Sequence, residues 1–369
     1  MGHAAATAGE RIPDSAFRLS GDVKRNSAAP QPPIALLQQT CPLGEQSPNA
    51  GNYSPLPLRL QGKSKYLIAV ELPSSGHDPV LLHEILQNLD PAPGTIFVDC
   101  TTGRAGHAAA IASKLGPNGV LIGLDADPRN LQFARQRLTT APCEVRLFHA
   151  NFAELADVLR EVKIDRVDGI LADLGISTNQ LFDEQYGLSF SQDMPLDMRL
   201  DPRIEQSAAD LVNHLRENDL ANVLYELAQE RYSRRIARKI VEARRTSPIT
   251  STERLAGLVR SAIPTRGGAP ERIDPATRTF MALRMKVNHE LENLEALLEQ
   301  APKFLKSGGR IGIVSFHSME DRLVKQAFRS AEQTGQLKII TKKPITPTET
   351  EEAANPRSRS AKLRVAEKL

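Results

Sequence analysis

Residues 95–125, TIFVDCTTGRAGHAAAIASKLGPNGVLIGLD, decide the fold. The apolar run Ile96-Phe97-Val98 closes on Asp99, and a glycine-bearing turn from Thr101 to His107 follows it. An alanine-rich helical stretch, a Gly-Pro-Asn-Gly break and a second apolar run ending at Asp125 complete the unit. Strand, tight loop, helix and strand, with a carboxylate at the second strand's tip, is the βαβ nucleoside-binding arrangement. Glycine lets the backbone approach a ligand closely, and the carboxylate beyond the next strand accepts ribose hydroxyl protons. The loop is not the dinucleotide fingerprint G-x-G-x-x-G, because only Gly103 and Gly106 fall suitably. A pyrophosphate also wants a cleaner run of free amides at the helix start. An acidic-ended strand before a looser turn suits S-adenosylmethionine better, since that ligand has no phosphate and carries a sulfonium. The plain alternative is that Gly103 only supports a strand-to-helix turn; the position of Asp125 weighs against it.

The pattern continues outward from this unit. Apolar residues at helical spacing run from Val80 through Ile85 to Leu89, ahead of Pro91 and Gly94. Strands are expected at 95–100, 120–125, 145–150 and 167–174, separated by helices at 106–115, 128–138 and 153–162. Near-continuous apolar strands alternating with helices predict an α/β fold with a mostly parallel sheet covered on both faces. From Leu181 to Asp274 the alternation gives way to helices, with Ser207 and Thr250 as expected caps three residues before Asp210 and Glu253. A long helical return from Pro275 leads to a fifth strand at 310–316 and a helix from Met319. A last pair at 337–341 and 363–367 fits an antiparallel end to the sheet. The expected organisation is a flexible extension at 1–72, a discontinuous domain at 73–180 and 275–369, and an inserted all-helical domain at 181–274. A short strand at 65–70 is also read within the extension.

With 369 residues, 40% of them hydrophobic and 25% charged, the chain has the composition of a globular protein of one large or two ordinary domains. A net charge of +3 leaves any nucleic-acid surface to local clustering. The absence of Trp and an aromatic content of 4% argue against a stacking platform for single strands. Cys41, Cys100 and Cys143 offer neither a disulfide framework nor metal spacing, which suits a reducing cytoplasm, and the eight histidines are dispersed, so no metal is expected. No apolar run reaches membrane-spanning length, and Glu10, Asp14 and Asp22 argue against an organelle leader.

Three further stretches carry chemistry. Asp173 ends the fourth strand where a switch-point crevice opens, and a carboxylate there is costly unless it faces a cleft or is hydrogen-bonded. It reads as a contact to the methionine end of the cofactor or an acceptor for a substrate amine proton; the plainer reading is a cap on the next turn. Ser315-Phe316-His317-Ser318-Met319-Glu320-Asp321 follows the fifth strand. Ser318 as a helix cap, with Glu320 and Asp321 complementing the dipole, accounts for those three but not for Phe316 and His317, which fit substrate contacts. The segment 229–240 is the strongest basic cluster; on one helix it places Arg231, Arg235 and Arg238 on a face flanked by Arg234 and Lys239. It reads either as a solvated amphipathic helix or as a set of phosphate contacts, and the local excess of arginine favours the second. Arg357 and Arg359 form a shorter basic stretch that fits soluble surface equally well.

Taken together, these blocks resemble the small-subunit ribosomal RNA methyltransferase H family, also called MraW. The matching blocks are His77-x-Pro-Val-Leu, Asp99 to His107, Asp125-Ala-Asp127-Pro128, Asp173-Leu-Gly-Ile-Ser177, Gly187-Leu-Ser189-Phe190 and Pro195-Leu-Asp197-Met198-Arg199. Glu230-Arg231-Tyr232, Pro275 to Phe280, Ser315 to Ser318 and Asn355 to Ser360 follow in order. The resemblance implies a class I S-adenosylmethionine-dependent methyltransferase with a helical insert. It also implies methylation of the exocyclic N4 of one cytosine in the decoding centre of 16S rRNA, within the small ribosomal subunit. By motif, the cofactor contacts are Ala105, Gly106, His107, Asp125, Phe152, Asp173 and Gln180. The family usually has Gly-Gly-His where this chain has Ala105-Gly106-His107, so a negative φ is expected at Ala105. Amino methyltransferases often carry Asp/Asn-Pro-Pro-aromatic where this chain has Asp173, so Asp173 as proton acceptor is read from its own position. Arg231, Arg234, Arg235 and Arg238 are expected to hold RNA. The rival classes are an NAD-dependent oxidoreductase and a non-catalytic RNA-binding assembly factor.

Overall fold

The computed structural model describes residues 79–264 and 274–369. The expected extension at 1–72, the short strand at 65–70 and His77 lie outside the described residues. Seven strands form one sheet: β1 (Ile96–Asp99), β2 (Val120–Asp125), β3 (Glu144–His149), β4 (Val167–Asp173), β5 (Leu305–Ser315), β6 (Leu337–Ile339) and β7 (Lys362–Lys368). Their order is β3-β2-β1-β4-β5-β7-β6. The first five are parallel, and β7 runs antiparallel between β5 and β6. The order departs in opposite directions from β1, so a crevice opens beyond the C-terminal ends of β1 and β4.

Helices α1 (Leu82–Leu89), α2 (Gly106–Leu115), α3 (Pro128–Leu138), α4 (Leu155–Glu161) and α5 (Thr178–Phe182) accompany the first four strands. Next come α6 (Ala208–His214), α7 (Glu217–Ala228), α8 (Ser233–Arg244), α9 (Thr252–Ala262) and α10 (Ala276–Val287). The chain closes with α11 (Glu290–Phe304), α12 (Ser318–Gln333) and α13 (Glu349–Ala354). Because strand side chains alternate, Phe97, Leu121 and Leu171 pack into one cluster while Val98, Ile122 and Ile170 pack into another. Both faces are therefore dry, which is why the strands read as unbroken apolar runs. Among the described residues no helix is long and apolar enough to cross a membrane.

A third cluster is built by α6 to α10 around Val212, Leu224, Ile236, Leu255 and Leu283. It takes in Ala276, Phe280 and Val287, so the packing changes after Val287 rather than at residue 274. Asp274 accepts the Ala276 N–H at 2.8 Å and pairs with Arg260, which fixes the start of α10. Gly187, at φ +61°, is required where a Cβ would sit 1.9 Å from the Pro195 carbonyl oxygen.

Helix starts differ from expectation in three places. Ser207 caps α6 as expected, but Ser251, not Thr250, caps α9. His317, not Ser318, caps α12, because Glu320 reaches back to the His317 amide and completes a box that Ser318 is one residue too late to form. The basic stretch is not one helix. Gln229 adopts a left-handed conformation after α7, and α8 starts only at Ser233, leaving Arg231 in the connection with its guanidinium 5.3 Å from the Tyr232 ring.

Candidate active site

A cavity of about 490 Å³ lies over the C-terminal ends of β1, β2, β4 and β5. On its first side the loop after β1 is drawn onto the tip of β2. Asp125 accepts the Gly103 N–H at 2.6 Å and the Asp127 N–H at 2.8 Å, with the Asn130 amide at 3.4 Å. Burial raises the Asp125 carboxyl to about 6 against the pull of those amides. Asp127 is the next hub. It caps α3 by accepting the Arg129 N–H, and takes bonds from Gln180 Nε2 at 3.0 Å and from the Tyr186 hydroxyl. Gln180 spends its carbonyl oxygen on the Ser177 amide, so its side chain clamps the α5 turn to Asp127. Phe152, in the short turn after β3, adds an aromatic lip.

Asp173 stands between the two sides. Among the described residues no backbone amide donates to its carboxylate, and the following turn is capped by Ser177, so the plainer reading of Asp173 as a cap does not describe it. Its Oδ1 is buried without a partner, while Oδ2 lies 3.6 Å from His107 Nδ1. His107 Nε2 is 2.9 Å from the Val80 carbonyl, and a carbonyl only accepts, so Nε2 carries a proton. Burial pushes the Asp173 pKa well up, and Asp99 and Glu320 add to the effect. Asp99, beneath the loop, is itself raised to about 7, chiefly by burial, and its Oδ2 has no partner.

The second side comes from distant segments. Phe316 and His317 line it after β5, and Glu320 lies buried behind them. Burial works to raise the Glu320 pKa, but His317, the Phe316 amide and Arg284 outweigh it and hold the carboxyl below its usual range. Arg284 from α10 pairs in a fork with Glu290 at 2.7 and 2.9 Å. Glu290, His317 and Glu320 bring ligand-type atoms together. With Arg284 already placed against Glu290, that group is supplied with a cation by the protein itself. Arg357 and Arg359 reach the same wall from the turn Pro356–Ser360.

The structure thus brings Gly106, His107, Asp125, Phe152, Asp173, Gln180, Phe316 and His317 to one cavity. Ala105 is not on its surface. It is fully buried in the cluster between α2 and the sheet, at φ +62°, so the negative φ expected there is overturned. The αL turn is imposed by the loop's need to place Gly103 on Asp125 and Gly106 against Pro79. Arg231, Arg234, Arg235 and Arg238 are exposed and line no part of the cavity, and Arg238 lies 3.5 Å from Glu217. Sequence reading missed Asp127, Arg284 and Glu290. Asp127 was detectable as the residue before Pro128 at a helix start, whereas the Arg284–Glu290 fork joins two helices and left no local signal.

The donor set discriminates between ligands. A diphosphate would face Asp125 and Asp173, and the Gly103 amide it needs is already given to Asp125. A nucleoside bearing a cationic amino-acid tail fits instead: Asp125 keeps acceptor capacity for ribose hydroxyls, and the orphan Asp173 oxygen lacks a donor. S-adenosylmethionine has that chemistry.

Comparison with known proteins agrees. A profile of the MraW methylase family matches residues 74–369. A ribosomal RNA small subunit methyltransferase H from Geobacter sp. strain M21 is 47% identical over 309 residues, covering 79% of this chain and 98% of that one. Its counterpart in Geobacter sulfurreducens is 46% identical over 308 residues, with 79% and 99% covered. That of Clostridioides difficile is 41% identical over 310 residues, with 79% and 99% covered. None of these supports an oxidoreductase or a non-catalytic factor. This chain belongs to the MraW methylase family, and its methyl donor is S-adenosylmethionine.

Proposed function

We propose that this enzyme, a methyltransferase of small-subunit ribosomal RNA, carries the methyl group to the exocyclic N4 of one cytosine in the decoding centre of 16S rRNA. Its substrate is that rRNA within the small ribosomal subunit, in the cytoplasm. The observation that carries the chemistry is the unpartnered, buried Asp173 oxygen between the two sides of the cavity.

When bound, S-adenosylmethionine supplies an electrophilic methyl group on a sulfonium. Asp125 holds the ribose hydroxyls, Gly106 and His107 line the backbone approach, and Phe152 covers the base. Gln180 acts through Asp127, keeping the α5 turn in place. The cytosine amino lone pair is delocalised into the ring, so N4 is a poor nucleophile. The protein must therefore align it and leave it room to pyramidalise. As the N–C bond forms, N4 becomes cationic and loses a proton, and Asp173 accepts it. A cation held beside Asp173 would favour its ionised form. Phe316 and His317 form the wall against which the everted base rests. Arg231, Arg234, Arg235 and Arg238 hold RNA away from the cavity.

Incubating the chain with labelled S-adenosylmethionine and unmethylated small subunits, then digesting the RNA to nucleosides, tests this. Label in N4-methylcytidine is expected; label in another nucleoside, or none, overturns it.

A further inference from the structure

The turn Pro356–Ser360 leads directly into β7, whose Lys362 pairs with Ser315 at the end of β5. That register sets the turn beside Phe316 and His317, on the acceptor side of the cavity. It is a stiff turn: Ser358 is fully buried, its hydroxyl donates to the Asn355 carbonyl at 2.8 Å, and its carbonyl accepts from Ala361 at 2.7 Å. Two guanidiniums extend from it into the cavity wall. Arg357 is half-buried, donates to the Thr178 hydroxyl and lies 5.4 Å from the Phe182 ring. Arg359 is exposed at the rim.

No carboxylate among the described residues forms an ion pair with either. Elsewhere around the cavity Arg284 is neutralised by Glu290, while Arg104 on the donor loop also lacks an ion pair among the described residues and stacks on the Phe133 ring at 4.0 Å. Burial lowers the Arg357 pKa, the mark of a cation held partly out of water without a counter-ion. An aromatic ring and a hydroxyl fix its direction but cannot balance its charge. Two forked cations spaced along one rigid turn match a sequence of phosphodiesters better than a single carboxylate.

Resting on the reading that the acceptor is RNA, we propose that Arg357 and Arg359 bind the phosphodiesters flanking the target nucleotide and so hold its base against the cavity. The arginines of α8 then grip RNA at a distance, while this turn sets the position of one nucleotide. Through Thr178 on α5, Arg357 also ties the acceptor wall to the turn that Gln180 clamps on the donor side.

The test uses the full chain and its R357Q, R357K and R359Q variants, measuring kcat and KM for the RNA acceptor, the salt dependence of kcat/KM and the Kd for S-adenosylmethionine. R357Q and R359Q should each raise the RNA KM at least about 10-fold and flatten the log–log salt slope by roughly 0.7, as expected for one lost phosphate contact. Cofactor Kd should stay within about twofold, and R357K should keep the salt slope while recovering only part of the KM. Unchanged KM and slope overturn the assignment. So does a cofactor Kd that rises in step with KM, because Arg357 would then serve the methionine carboxylate or the α5 turn. A wild-type chain that methylates no RNA removes the underlying reading instead, a result distinct from either.

Discussion

The two sides of the cavity are built differently. On the donor side the polar groups are largely committed before any ligand arrives: Asp125 to Gly103 and Asp127, Asp127 to Gln180 and Tyr186, Gln180 to Ser177. On the acceptor side the wall is assembled from α10, α11, the end of β5 and the turn before β7, with two guanidiniums that have no ion pair among the described residues and the orphan Asp173 oxygen at its edge. A preorganised half recognises a small molecule of fixed shape. On the proposed reading, a half with unspent positive charge suits a polyanion.

The sharpest way to break this contrast is Asp173→Asn. Methyl transfer at saturating cofactor should fall at least about 100-fold, the range of a lost general base, with the cofactor Kd raised as well because the same carboxylate faces the cationic tail. Wild-type turnover would place the proton acceptor elsewhere and leave the acceptor side without its defining group.

Asp99→Asn probes the strain under the donor loop. The folded carboxyl is raised to about 7 from an ordinary 3.8. Its favourable contribution is therefore fully present below the ordinary value and is lost as pH rises through about 7, on the order of 4 kcal/mol in all. Wild-type stability measured by urea unfolding should fall between about pH 4 and pH 7, and Asp99→Asn should remove part of the slope, the rest coming from the raised Asp125 and Asp173. An unchanged slope would mean that Asp99 is better solvated than its burial indicates.

Arg235→Ala with Arg238→Ala should weaken RNA binding about 10-fold and flatten its salt dependence by roughly one to two units of slope, leaving cofactor binding alone. RNA affinity unchanged across salt would make α8 a plain solvated face and confine the RNA contacts to the cavity wall. The smallest effect is expected at Ala105, where an L-residue in the left-handed region costs about 1 kcal/mol. Ala105→Gly should raise Tm by roughly 2 °C, less if the gain in backbone entropy of the unfolded chain offsets it. A drop in Tm would show that the buried methyl's packing outweighs the strain.

What the sequence made legible follows the same division. Strands β1 to β4 and the Gly103–Asp125 unit were readable because local period, loop glycines and tip carboxylates all lie within short segments. Gly106, Asp125 and Asp173 were readable by the same local logic, whereas His107, Phe152 and Gln180 came from family resemblance alone, and all six line the cavity. The acceptor wall was poorly legible: Arg284 meets Glu290 across a helix boundary, and Arg357 meets Thr178 from 179 residues away. Caps were misplaced by one residue wherever two polar side chains competed, as at Thr250 and Ser251 or His317 and Ser318, because only the backbone's exit angle decides between them. Ala105 was misread for a related reason. Sterics alone favour negative φ, but the loop geometry overrode them.

On the proposed reading, burial keeps the Asp173 pKa raised until a bound cation favours its ionised form. Calorimetry of S-adenosylmethionine binding at about pH 7, in two buffers of different ionisation enthalpy, counts protons directly. About one proton should be released by the wild type and markedly fewer by Asp173→Asn. Binding without proton release in the wild type would contradict the account, because Asp173 would then already be an unprotonated carboxylate, with no need of the donor to prepare it.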